Sequence, residues 1–162
     1  MTTYWTIQDL PAWEQAQVTK QLTGNPTFIH PDFKPAYDWM VAQMQVRLLP
    51  VTPGYPIWLW TTRPDLRESG YAERGTPQVL LHCTLDPASV LLSDYMAWHH
   101  VLNEWTLTWE EAEEIDQQKS WERIFDLEAL AKHPDWGINT TQGVVPSIPL
   151  DQLKLVKVFT AR

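Results

Sequence analysis

Apolar residues along this chain recur at two different intervals, and the changes of interval divide it into elements. TYWTIQ (3–8) alternates apolar and polar side chains, which predicts a short strand. DLPAWEQAQVTKQLTG (9–24) predicts a helix, with Asp9 at its N-cap and Gly24 at its C-cap. Pro11 falls in its first turn, where a missing N–H costs little. The clearest helical pattern lies in 30–50. There Phe33, Ala36, Tyr37, Met40, Val41, Met44 and Leu48 recur every three to four residues behind Asp32 as N-cap, and VTPGY ends the run.

PIWLWT (56–61) is apolar on both faces, as suits a central strand or one beside a cavity. A polar loop, TRPDLRESGYAERGTP, follows. In QVLLHCTLD (78–86), Val79, Leu81, Cys83 and Leu85 face one way, while Leu80, His82 and Thr84 face the other. Asp94 caps a helix through YMAWHHVLNEW, whose apolar stripe is Trp98, Val101, Leu102 and Trp105. Thr108 and Glu111 form a capping box for a charged surface helix, WEEAEEIDQQ. KSWERIFDLEALAKHPDW mixes a helical pattern with loop, and the segment from Thr140 onward reads as strand, Pro-bounded turn and closing strand. With no internal repeat or linker, this order predicts one α+β domain over 1–162, built on a small mixed or antiparallel sheet flanked by helices.

Composition narrows the functional classes. Ten tryptophans in 162 residues imply large buried surfaces whose indole N–H groups need acceptors. A net charge of −8 leaves Lys and Arg too sparse for stable, nonspecific binding to phosphate backbones, although brief enzymatic action on a nucleic acid stays compatible. With Cys83 as the sole cysteine, an intrachain disulfide or a Cys-cluster metal site is ruled out. The opening MTTYWTIQDLPAWEQ does not read as a signal peptide, and no apolar stretch is long enough to span a bilayer. A cytoplasmic location and no membrane partner are therefore expected.

Few residues suggest chemistry outright. Neither common nucleotide-binding glycine loop is present, nor a G-x-S-x-G elbow. His100 and Glu104 share a helical face beside His99, but no third ligand is specified nearby, so no metal is expected. Cys83 reads as a buried, inert thiol, with His82 on the opposite strand face. The acidic run Glu110 to Asp116 reads as a solvated face. Trp58 and Trp60 share one face of their strand, either as core or as a stacking wall for a base or nicotinamide ring. Arg63 and Arg67 follow in the loop, where they could hold a phosphate or carboxylate, or pair with Asp65.

The blocks AYDWMVAQMQVRL, YPIWLWTTRPDLR, VLLSDYMAWHHVLN and QGVVPSIPLDQLKLVKVF resemble a bacterial domain-of-unknown-function family, number 3841, over nearly the whole chain. A second resemblance concerns the two ends. The opening strand, helix and glycine look like the start of bacterial ADP-ribosyltransferase-like domains, and TQGVVPSIPLDQLKLVKVF looks like their last segments. That resemblance implies NAD as cofactor, ADP-ribose transfer to a macromolecule, and ribose contacts from Tyr4, Thr6 and Gln142. It further implies Trp58 or Trp60 against a ring and Arg63 or Arg67 on the pyrophosphate. Val144 stands where the pattern puts its catalytic Glu, and a valine cannot stabilise a developing oxocarbenium. Glu73, Glu104 and Glu122 are the candidate replacements. The alternative is a non-catalytic nucleotide- or protein-binding module that keeps the fold without the chemistry.

Overall fold

The computed structural model describes residues 1–48, 54–137 and 139–162. Six strands build one antiparallel sheet, in the spatial order Leu91–Asp94 (β5), Thr141–Val145 (β6), Ile57–Trp60 (β3), Thr2–Asp9 (β1), Pro77–Leu85 (β4) and Leu153–Thr160 (β8). Gln21–Thr23 (β2) and Ser147–Pro149 (β7) pair separately. The architecture is the expected α+β domain, and the sheet is antiparallel throughout.

Register decides which side chains share a face. Cα partners on antiparallel strands point the same way. Trp5 lies opposite both Trp60 and His82, Trp58 opposite Val144, and Trp60 opposite Gln142. These residues form one face. Tyr4 opposite Cys83, and Thr6 opposite Leu81, belong to the other, with Ile57 and Leu59.

The Tyr4 face is covered by Leu10–Thr19 (α1) through Trp13 and Ala16, with Leu22 and Ile148 from the small sheet. The Trp58 face is covered along β5 and β6 by Lys34–Arg47 (α2), Tyr95–Leu102 (α3), Gln117–Trp121 (α4) and Leu127–Lys132 (α5). Ala36, Met40, Ala97, Trp98 and Val101 bury Val144 and Leu91 there. Among the described residues, no helix is long and apolar enough to cross a membrane.

Three expectations from the sequence are corrected. The helix over 9–24 stops at Thr19, where Lys20 takes the left-handed C-cap conformation (φ 67°) and the chain re-enters as β2. Asp9 does stand at the N-cap position, but its carboxylate accepts from Gln78 Nε2 at 3.0 Å and caps nothing. Gly24 serves a close approach: a Cβ there would lie 2.3 Å from the Tyr55 carbonyl oxygen.

The helix over 30–50 is preceded by a 3₁₀ turn, Pro31–Phe33, in which His30 Nδ1, and not Asp32, accepts the capping N–H. The helix ends at Arg47 with Leu48 as its C-cap, before VTPGY (51–55), of which 51–53 lie outside the described residues.

The helix expected from the Thr108–Glu111 box is absent. Residues 103–116 run as turns and irregular chain, since tertiary bonds outcompete a short helix. Glu113, not Glu111, accepts from the Trp109 N–H at 2.7 Å and pairs with Arg123, whose guanidinium lies 5.0 Å from the Trp109 ring centre. Arg123 and this backbone bond hold the Glu113 carboxyl down at about 2. Trp121 Nε1 donates to the Trp105 carbonyl at 2.8 Å, the kind of acceptor a tryptophan-rich core requires.

Candidate functional site

Where α3 stops covering the sheet, the Trp58 face opens into a cleft of about 700 Å³. Central-strand apolarity on both faces thus has two causes: Ile57 and Leu59 are core, with Ile57 also touching the cavity's edge, while Trp58 and Trp60 are half-buried and line it. Trp58 sits at 6.1 Å from the Tyr37 ring, edge to face, and at 5.0 Å from Trp98. Trp60 is flanked by Tyr71 at 6.0 Å and Tyr95 at 5.7 Å. Each indole therefore packs with one part and presents another. Burial pushes the Tyr37 phenol above its ordinary value, so it stays a neutral hydroxyl at pH 7.

Gln142 enters the same cleft from β6, buried, with Nε2 donating to Ser93 Oγ at 3.3 Å. His99 joins from α3. Its Nδ1 donates to the Tyr95 carbonyl at 2.8 Å, which leaves Nε2 without a partner in that bond. The charged lining consists of two carboxylates. Asp9 accepts from Gln78, and Glu68 accepts from the Tyr71 hydroxyl at 3.4 Å. No Lys or Arg lines the cleft among the described residues.

Other expected site residues lie elsewhere. Tyr4 is 3% exposed beneath α1, and Thr6 is fully buried on the same face, away from Trp58 and Trp60. Thr6 Oγ1 donates to the Trp58 carbonyl at 2.8 Å, so it braces β3 from behind. Arg63 lies 5.4 Å above the Trp5 ring. Arg67 is held in a fork by Asp65, at 2.9 and 2.7 Å, which lowers the Asp65 carboxyl to about 2. Neither arginine lines the cleft.

The three candidate carboxylates are also outside it. Glu73 is exposed in a turn, Glu104 is exposed with φ 54°, and Glu122 pairs with Arg47 at 3.0 Å. Val144 shares the Trp58 face but is fully buried among Ala97, Trp98 and Val101, where a carboxylate would have no water and no partner. Cys83 is buried, and its thiol is pushed up to about 12. His99, His100 and Glu104 do not converge. Among the described residues, no group of three or more His, Cys, Asp or Glu side chains could hold a metal.

Sequence reasoning missed Asp9, Glu68, Tyr71, Tyr95 and Trp98 as lining residues. Tyr95 and His99, spaced i, i+4 directly after the Asp94 cap, were the available signal, because that spacing places them on one helical face. Glu68 and Tyr71 carried none, since a loop has no period.

The class is thus an antiparallel α+β protein with an aromatic, acid-edged cavity of small-molecule size. The chain belongs to the family described as "Domain of unknown function (DUF3841)", whose model matches residues 3–117. That span includes β1, β3 and α3 but ends before β6, which carries Gln142. No curated protein and no solved structure matches the chain.

Proposed function

We propose that the cleft binds NAD or a related nucleotide, seating its flat ring among Trp58, Trp60, Tyr71 and Tyr95. The observation that carries this reading is the convergence of both indoles and Gln142, from neighbouring strands, in one cavity of about 700 Å³. Pockets that enclose a nucleotide-sized molecule are of this order and predominantly aromatic or apolar. The carboxylates of Asp9 and Glu68, with aromatic faces and no lining cation among the described residues, favour a positively charged ring such as oxidised nicotinamide. β1, β3 and β6 are neighbours in the sheet, although Tyr4 and Thr6 of β1 face away from the cleft. The protein would work in the cytoplasm, where such nucleotides are held.

Transfer of ADP-ribose to a macromolecule is the second reading, and Glu68 favours it. A carboxylate at the cleft could stabilise the oxocarbenium that forms as the bond to nicotinamide breaks, the role Val144 cannot fill. Titration calorimetry with NAD tests binding, and nicotinamide release with label transfer tests turnover. Saturable binding without release in both wild type and Glu68→Gln identifies a binding module. Release lost in Glu68→Gln identifies a transferase, and absence of any heat rejects the nucleotide.

A further inference from the structure

The loop 61–76 has two sides. Glu68 and Tyr71 line the cleft, while Arg67 and Arg74 join Lys157 and Arg162 around a second groove of about 920 Å³. Ser69 lines both cavities, one on each side of the loop. We propose that this groove is an anion site, holding the phosphates of the ligand whose ring occupies the cleft. The proposal rests on the nucleotide reading of the cleft.

Charge is divided sharply between the two cavities. The cleft offers two carboxylates and no lining cation among the described residues, so a phosphate has no cationic partner there. Its neighbour gathers four cations on a chain of net charge −8. Bringing like charges together is unfavourable unless an anion joins them. Asp65 already holds the Arg67 fork, but Arg74, Lys157 and Arg162 make no ion pair among the described residues.

The groove is also built, not incidental. Gly75 takes φ +87°, a conformation open to glycine, and the turn closes with Thr76 N–H donating to the Glu73 carbonyl at 3.2 Å. Gly75 N–H then donates to the Ala161 carbonyl, and Ala161 N–H to the Thr76 carbonyl, both at 2.9 Å. These two bonds fasten the loop to the chain beyond β8 and hold Arg74 beside Arg162. Leu66 and Phe159 supply apolar lining.

Calorimetry with four probes separates this idea from the one beneath it: nicotinamide riboside, its 5′-phosphate, NAD and inorganic pyrophosphate. The phosphorylated nucleotides should bind wild type roughly tenfold more tightly than the riboside at low salt, an advantage that high salt removes. Arg74→Ala with Lys157→Ala, both exposed positions, should abolish the advantage and pyrophosphate binding while leaving riboside affinity unchanged. Riboside binding with no phosphate advantage, or an advantage that survives in the double variant, would overturn the groove and leave the cleft standing. Pyrophosphate binding without riboside binding would overturn the cleft as a ring site and, with it, the claim that one ligand spans both.

Discussion

The two faces of the central sheet differ in what closes them. On the Tyr4 face, α1 and the small sheet cover the middle of β1, β3 and β4, and Leu59, Val79, Leu81 and Cys83 lose almost all contact with water. On the Trp58 face the covering helices reach Val144 and Leu91, then stop, and Trp60 is left at the rim of a cavity. The same strand therefore contributes aliphatic residues to the closed side and indoles to the open one. Large aromatic side chains tolerate that boundary because part of the ring can pack while the rest stays accessible.

The comparison can be broken first at its closed side. Leu81→Ala leaves a cavity where no exposure existed, and should cost about 2–5 kcal/mol in urea unfolding. Trp60→Ala should cost only about 1–2 kcal/mol of stability, because its ring is already half in water, while reducing NAD heat at least tenfold. A Trp60→Ala protein that unfolds as readily as Leu81→Ala would make the cleft ordinary core.

Cys83 sharpens the contrast more gently. With its thiol pushed up to about 12 and its side chain on the closed face, it should resist thiol reagents at pH 8 until urea unfolds the chain. Rapid labelling of the native protein would show that the closed face opens.

The smallest effect concerns the irregular segment that joins α3 to α4. Glu113 has a folded pKa of about 2, below its ordinary 4.5, so its ion pair stabilises the fold above pH 4.5. Glu113→Gln should lower the melting temperature at pH 7. The gap between variant and wild type should shrink as pH falls from 4.5 toward 2, and a gap independent of pH would assign the effect to packing.

Much of this fold was legible because strands and helices announce themselves by period. β1, β3 and β4 fall where alternation puts them, and α3 starts where expected, with Asp94 Oδ1 accepting the Ala97 N–H at 2.8 Å, but it ends at Leu102 and leaves Trp105, expected in its apolar stripe, exposed. Alternation within a strand also joins Trp58 to Trp60. It cannot say which face of β1 meets which face of β3, because that depends on register between strands about fifty residues apart. Trp5, not Tyr4 or Thr6, therefore shares the Trp60 side. Two further misses have local causes. The Thr108–Glu111 capping box pointed to a helix over the acidic run, but Arg123 and the Trp109 backbone claimed Glu113. Gly24 looked like a helix terminus, and is a glycine because the Tyr55 backbone passes too close for any side chain.

The central place of β1 has a consequence in time. Its hydrogen-bonding partners are β4, with Thr2 opposite Leu85, and β3, fifty residues on. A nascent chain therefore carries β1 without β4, its longer partner, until residue 85 has been made and released, an interval of roughly 4–16 s at 5–20 residues per second. During that interval α1 and Trp13 lack the β4 side chains Val79, Leu81 and Cys83 that complete their face of the sheet. A pulse of protease during synthesis should cut near Trp13 in chains arrested before β4, and spare it in chains arrested after.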